Sequence, residues 1–330
     1  MRCRICDNAT ANVLYEVREL AHAQPEHHLY FQCSHCGCLQ IVEFPPNIGT
    51  YYDTSYYSYQ PPVSHDSIVS RSLVSLRNRY AIFGRGMVGR ALCLKYPAPQ
   101  LHFLRPVSEG ISAESRILDI GCGAGHLLYA LREAGFANLL GIDPFVEEDI
   151  VYDSGVVVRK QLIQEVRGCY DLAIMQHSFE HVADPWQTLR CAFSLLAPGA
   201  FLIVGIPTVS SYAWEHYGVD WVQLDAPRHF YLHSLDSVRL LTSTVGFELY
   251  DVVFDSGAFQ FWGSEQHKRG IELFADERSY WRGQEHSIFS ASDIALYAQR
   301  ANDLNAAGRG DQAVFYLRKP ATRSARITPA

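Results

Sequence analysis

The chain has 330 residues, 48% hydrophobic and 19% charged, an ordinary globular composition with room for one large core and a smaller module. Its formal net charge of -7, with histidine neutral, argues against a general nucleic-acid or anionic-membrane partner. No apolar run approaches the ~20 residues of a membrane span. The start, Met1-Arg2-Cys3-Arg4, leads into no apolar signal segment, so a cytoplasmic location is expected.

Five of the nine cysteines fall in the first 38 residues. Cys3-x-x-Cys6 and Cys33-x-x-Cys36 are paired-thiolate turns, and two such turns complete one tetrahedral four-thiolate zinc site. Such a closed site leaves no position for chemistry, so the zinc is read as a structural staple for a ribbon module at 1–45, too small for its own core. Segments 12–17 and 28–33 read as its strands, and Cys38 is a spare ligand. Residues 1–60 carry three Lys/Arg against six Asp/Glu, the wrong balance for binding phosphates.

Residues 46–110 form the next expected unit, a tyrosine-rich loop and a helical cap. Five tyrosines lie between Tyr51 and Tyr59, beside Pro61-Pro62. Tyrosine pairs an apolar face with a polar tip, so Tyr56 and Tyr57 are candidate contacts for a sugar-sized substrate. The alternative is a loop glued to the surface by its rings. Residues 64–80 and 84–96 have helical spacing, with Leu73, Leu76 and Tyr80 on one stripe expected to pack on the domain that follows.

From residue 111 short apolar runs alternate with helical patterns. Strands are expected at 116–120, 138–142, 155–159, 171–175 and 200–206, and helices at 125–134, 184–196 and 234–245. This is an α/β, doubly wound Rossmann-like sheet over 111–254, whose ligands sit outside the carboxyl ends of the strands. The first strand runs into Asp119-Ile-Gly121-Cys-Gly123-Ala-Gly125, a glycine loop opening a helix whose N-terminus faces a ligand. A dinucleotide fingerprint would have glycine where this chain has His126. Segments 248–254 and 312–317 are expected to close one sheet edge as an antiparallel pair. Between them lie an insertion at 260–285 and a helix from about 293 to 307, capped by Ser290 or Ser292 and stopped at Gly308. The extension 255–330 is expected to complete the sheet and line the substrate side.

The loop resembles that of the class I S-adenosylmethionine-dependent methyltransferases. The likeness continues through Leu139-Leu-Gly-Ile-Asp143, Asp171-Leu-Ala-Ile-Met-Gln-His-Ser-Phe-Glu-His-Val-Ala-Asp-Pro185 and Leu195-Leu-Ala-Pro-Gly-Ala-Phe-Leu-Ile-Val204. The four-cysteine module and Leu224-Asp-Ala-Pro-Arg-His-Phe-Tyr-Leu232 are similar, more loosely, to bacterial methyltransferases of nucleotide-linked or polysaccharide sugars. The resemblance implies S-adenosylmethionine as cofactor, with Asp119, Gly121, Gly123 and Gly125 at its methionine end and Asp143 on the ribose hydroxyls. Gln161 and Gln164 become candidates for adenine, and Gln176 and His177 border the sulfonium. Glu180 and His181 would hold the following loop or, as in some related quinone-biosynthesis methyltransferases, join a divalent-metal site.

In-line methyl transfer to a hydroxyl needs an aligned acceptor and a proton acceptor in the transition state. The cluster His216, Asp225, Arg228, His229 and Tyr231 follows the fifth strand. His229 is the first candidate for general base, because an imidazole pKa of ~6.5 suits proton removal near neutrality; His177 is the second. Asp225 would orient the base or bind substrate. Arg228 would pair with a substrate phosphate or with Asp225, and Trp221 and Tyr231 would wall the acceptor. The alternative is that Pro227-Arg228-His229 only shapes the loop. The expected activity is O- or C-methylation of a sugar or nucleotide-linked sugar in polysaccharide or natural-product biosynthesis. A phenolic or polyketide acceptor, an RNA methyltransferase and a non-catalytic scaffold are the alternatives.

Overall fold

The computed structural model describes residues 1–19, 26–51, 57–62, 68–274 and 276–321. The N-terminal module contributes β1 (Val13–Arg18), β2 (His27–Gln32) and β3 (Leu39–Ile41), and a helical hairpin follows, α1 (Ile68–Phe83) and α2 (Met87–Lys95), then a 3-10 segment at Pro99–Gly110. The alternating region comprises β4 (Arg116–Ile120), α3 (His126–Glu133), β5 (Asn138–Ile142), β6 (Ile150–Val151), β7 (Val157–Arg159), β8 (Tyr170–Gln176), α4 (Pro185–Leu195) and β9 (Leu196–Pro207). The chain continues through α5 (Tyr212–Tyr217), β10 (Tyr231–Leu232), α6 (Leu235–Val245), β11 (Glu248–Phe254), α7 (Phe259–Lys268), α8 (Ala291–Ala306) and β12 (Gln312–Arg318).

The large sheet has the order β11-β12-β9-β8-β4-β5-β7-β6. Its centre is parallel, and β12 inserts antiparallel between β9 and β11, closing the edge expected from the sequence. Central strands covered on both faces are predominantly apolar, and Ile117, Leu118, Ala173 and Ile174 are fully buried. The order reverses at β4, between β5 and β8, so the crevice beyond these strands is the topological switch point. The flanking helices start on side-chain caps: Asp184 accepts from the Gln187 amide, Ser234 from Ser237, and Ser290 from Asp293 in a capping box.

A second sheet, β1-β2-β3-β10, joins the N-terminal module to the large domain, with Tyr231 opposite Gln40 and Leu232 opposite Leu39. Residues 229–230 are held by the same module. The Tyr30 hydroxyl donates to the His229 carbonyl at 2.8 Å, and the Ile41 amide donates to the Phe230 carbonyl at 3.0 Å. Trp186 donates to the Arg4 carbonyl, and Ser234 to that of Cys36. The two regions therefore share one hydrophobic core.

Two sequence expectations change. The stripe Leu73, Leu76 and Tyr80 does not pack on the sheet domain; Leu73 and Leu76 are exposed, and α1 buries Asn78, Ala81 and Ile82. Asn78 reaches α3 by donating to the Ala130 carbonyl at 3.2 Å, which makes a polar residue part of the packed face. The insertion at 260–285 also contains a helix, α7, whose buried face is largely polar. Ser264 donates to the Gln260 carbonyl and accepts from the Val222 amide, while the Gln266 side chain bridges to Ser279 and Tyr280. Those bonds satisfy groups that a hydrophobic pattern would not place inside. Among the described residues no helix is long and apolar enough to cross a membrane.

Candidate active site

A cleft of about 1270 Å³ lies at the switch point. The loop after β4 turns through left-handed conformations at Gly121 (φ 75°) and Gly123 (φ 53°). A Cβ on Gly121 would run into the Ser178 side chain, and one on Gly123 into the Ser58 carbonyl oxygen. Only glycine lets these backbones approach so closely. Gly125 plays a different part, as the left-handed N-cap of α3 packed against Val158, and it does not line the cleft.

Asp119 and Asp143 both reach the cleft wall although each is buried. Asp143 accepts from the Gly123 amide at 2.9 Å and the Phe145 amide at 2.8 Å, tying the ends of β4 and β5 together. Burial raises its pKa, and the amide donors oppose that. Asp119 is pushed up to about 7 by burial, with the Asp143 charge adding to it. Gln161, Gln164, Gln176 and His177 line the same cleft. So do Phe145 and Ser178, which sequence reasoning missed; Ser178 donates to the Ile120 carbonyl at 2.6 Å. The closely approached glycines, the two acids and the volume fit S-adenosylmethionine.

Tyr56 and the Tyr57 side chain lie outside the described residues. The turn Tyr57–Tyr59 sits over the glycine loop, with the Ala124 amide donating to the Ser58 carbonyl at 2.8 Å and Tyr59 on the cleft wall. The described part of the tyrosine segment thus covers the donor side.

A second cavity, about 110 Å³, is lined by His177, Glu180, His181, Asp225, Arg228 and His229, with Trp221, Phe259 and Trp281 as aromatic walls. His177 and His181 line both spaces and separate them. His177 is held at φ 52°, an uncommon conformation for a side chain beyond glycine. Glu180 is fully buried, and among the described residues neither carboxylate oxygen has a hydrogen-bond partner. It lies 3.6 Å from His177 Nδ1 and 3.9 Å from His229 Nε2.

His181 Nδ1 donates to the Arg228 carbonyl and His229 Nδ1 to that of Gln223, both at 2.8 Å, because a carbonyl only accepts. Each of these bonds fixes the ring tautomer, with the proton on Nδ1. Burial and the neighbouring His229 lower the His181 pKa to about 4. For Glu180, burial is outweighed by His177, His181 and His229, which bring it down to about 2. Asp225 is also low, about 2, because Arg228 and His229 overcome its burial; Arg228 Nη2 donates to it at 2.7 Å.

Two members of the expected cluster stand apart. His216 is exposed and stacks on Tyr212. Tyr231 lies on neither cavity wall: its side chain is buried in the second sheet, stacks on His233 and donates to the Ala183 carbonyl. Trp221 lines the second cavity while its indole donates to Asp311 at 2.9 Å. Sequence reasoning also missed Arg18 of β1 and His267 of α7 on that wall.

In the N-terminal module the Sγ atoms of Cys3, Cys6, Cys33 and Cys36 lie within 4.8 Å of one another. Cys3–Cys36 is 3.6 Å and Cys6–Cys33 is 3.5 Å, close to the ~3.8 Å edge implied by ~2.3 Å Zn–S bonds in a tetrahedron. The set fits zinc. Cys38 is not a member; it is buried 3.9 Å from His233 Nδ1.

Fold and cleft define a Rossmann-like protein with a nucleoside-cofactor site at the sheet's switch point. Residues 92–252 match the family model described as a methyltransferase domain. The chain is 31% identical over 144 residues to the ubiquinone biosynthesis O-methyltransferase of Bordetella avium, covering 39% of this chain and 59% of that protein. The namesake of Pseudomonas aeruginosa is 30% identical over 129 residues, covering 35% and 55%. The match thus spans less than two thirds of these relatives' own length. An S-adenosylmethionine-dependent methyltransferase structure from Archaeoglobus fulgidus aligns over 70% of this chain and 99% of its own, at 17% identity and a TM-score of 0.40. Residues 92–252, just under half of the chain, are thus similar to a methyltransferase domain.

Proposed function

We propose that the whole chain methylates a small polar acceptor, a sugar or nucleotide-linked sugar, on oxygen, with the acceptor in the second cavity and His229 as general base. One observation carries this reading: His177 and His181 form a common wall between a cleft that fits the donor and a cavity lined by an imidazole–carboxylate cluster. Bound S-adenosylmethionine supplies an electrophilic methyl group. The residues must then exclude water, align the acceptor and receive its proton.

The Gln223 carbonyl fixes the His229 tautomer, so Nε2 is the atom that takes the proton. The imidazolium formed stands 3.5 Å from Asp225 and 3.9 Å from Glu180, two carboxylates that stabilise it. Arg228 holds Asp225 in place. Several convergent polar groups favour a hydroxyl-rich acceptor, and the aromatic walls suit the apolar face of a sugar ring. A phenolic acceptor is the second reading, supported by the quinone-biosynthesis names of the relatives and the same aromatic walls.

Glu180, His181 and His229 also present ligand atoms within 4.8 Å of one another, a donor set that fits a divalent cation. Such an ion supplies Lewis-acid polarisation of an acceptor hydroxyl, and the two histidines would then serve as ligands through Nε2.

The test is labelled-methyl transfer against nucleotide sugars and catechols, with parent and His229→Ala proteins, before and after chelation. The base reading predicts transfer to sugars, unchanged cofactor affinity in the variant and a loss of ~10²–10⁴ in turnover. Transfer to catechols alone would replace the sugar reading. Chelator-sensitive turnover restored by Mg²⁺ would replace the base with the metal, and near-normal turnover of His229→Ala would defeat both.

A further inference from the structure

The segment 68–108, comprising α1, α2 and the 3-10 turns after them, contains seven Lys/Arg and no Asp or Glu, in a chain whose total charge is -7. Its outer surface is also apolar. Met87, Ala91 and Leu94 are spaced i, i+4 and i+7 on α2, and Met87 and Leu94 are 89% and 78% exposed. On α1, Val69, Leu73 and Leu76 are exposed as well, with Val69 at 68%. The hairpin packs by its other faces: Ala81 and Ile82 are buried on α1, and Gly89 of α2 lies against the α1 backbone at Leu76. Arg85, Arg90 and Lys95 flank the apolar stripe and make no ion pair among the described residues.

We propose that this face of the α1–α2 hairpin docks on an anionic lipid surface, with Met87 and Leu94 entering the headgroup–acyl boundary and the basic residues meeting the headgroups. Whole-chain charge, which pointed away from membranes, is the wrong quantity here. At physiological salt, charges beyond ~8 Å are largely screened, so a docked surface responds to the hairpin's own cations. An apolar stripe rimmed by Arg and Lys is the pattern of an interfacial helix. A second copy of this chain is a poor occupant, because it would bring two acid-free basic segments face to face. The hairpin continues directly into Pro99–Gly110, whose Pro99, Phe103 and Pro106 line the donor cleft. Docking would hold the cleft beside the lipid surface, whatever the acceptor is.

Co-sedimentation of the full chain with vesicles tests this, using phosphatidylcholine alone and phosphatidylcholine mixed with phosphatidylglycerol. Binding is expected only with the anionic lipid and should weaken as salt rises. The triple variant Arg85→Ala/Arg90→Ala/Lys95→Ala should lose roughly a hundredfold in partitioning, at about fivefold per charge. Met87→Ser/Leu94→Ser keeps every charge and should lose at least about tenfold per side chain. All altered residues are exposed, and unchanged circular dichroism and cofactor affinity would confirm that the variants fold. Absence of binding to anionic vesicles overturns the proposal. So does equal binding by the Met87→Ser/Leu94→Ser variant, which would assign the face to a soluble acidic protein. A lipid-free dimer abolished by that variant would give the face to a second copy.

Discussion

Replacing Glu180 by Gln removes one negative charge from the wall between the two cavities at almost constant shape. Glu180 is fully buried, with His177 at 3.6 Å and His229 at 3.9 Å. A carboxyl held at about 2 against its ordinary ~4.3 contributes up to about 3 kcal/mol at neutral pH. His181 carries no charge above about pH 4, so its share is absent at pH 7 and roughly 2 kcal/mol should remain. The sign follows from the depression: the contribution is present above pH ~4.3 and disappears as pH falls towards 2. For His177, burial opposes protonation, but Glu180 outweighs it and raises the pKa; the variant should lower it again. Urea unfolding followed by circular dichroism should give a loss of about 2 kcal/mol at pH 7, narrowing below pH 4. Cofactor affinity should hold, because Glu180 does not line the donor cleft. Turnover should fall, because an imidazolium at His229 loses one of its two carboxylates. A variant as stable as the parent at pH 7, with an unmoved His177 titration, would refute the electrostatic account.

Three other changes test separate parts. Gly123→Ala places a Cβ against the Ser58 carbonyl at φ 53°, so calorimetry should show at least about a tenfold loss of cofactor affinity, from a ~1–2 kcal/mol conformational cost plus the clash. Cys36→Ser should abolish stoichiometric zinc in native mass spectrometry and lower turnover with the cofactor site intact, since the module holds the His229 carbonyl through Tyr30. Asp119 has a raised folded-state pKa, so its contribution is present below pH ~4 and is lost as pH rises through about 7. Asp119→Asn should flatten that pH dependence in denaturant titrations, and an unchanged slope would contradict the assignment.

The strands of the large sheet were legible because parallel strands covered on both faces are rich in apolar residues, as Ile117, Leu118 and Ile120 of β4 and Leu139, Leu140 and Ile142 of β5 show. The cysteine spacing was legible for a different reason: ligand geometry leaves few alternatives. What sequence could not supply was direction. Helical spacing identified the Leu73–Leu76–Tyr80 stripe, yet the buried face of α1 is built around Asn78, whose polarity is satisfied by a carbonyl on α3. Nor does spacing reveal that Gly125 packs on Val158 while Gly121 and Gly123 line the cleft. Glu180 and His181 were noticed as a pair, but their link to His229 depends on a loop 48 residues later folding back across the end of β8. The signal available was chemical: Glu180 lies four residues after a largely buried strand, between His177 and His181, and an acid folded into that position needs a partner.

That return gives the cysteine module a structural part in this domain. The segment after β9 leaves the large sheet, bears Asp225, Arg228 and His229, and must be held in place by something. The ordinary support for a loop is its own sheet, but β10 pairs with β3 of the cysteine module. The Ile41 amide and Tyr30 hydroxyl then fix the carbonyls of Phe230 and His229, while the Phe230 amide donates to the Glu180 carbonyl at 2.9 Å. The segment bearing the imidazole is thus anchored from both sides, by the sheet of the cysteine module and by the turn after β8. A module of three short strands has little core of its own and would be marginal in water without a staple. A metal held by the four cysteines would therefore act on the proposed chemistry at a distance, by making rigid the sheet that holds the His229 carbonyl.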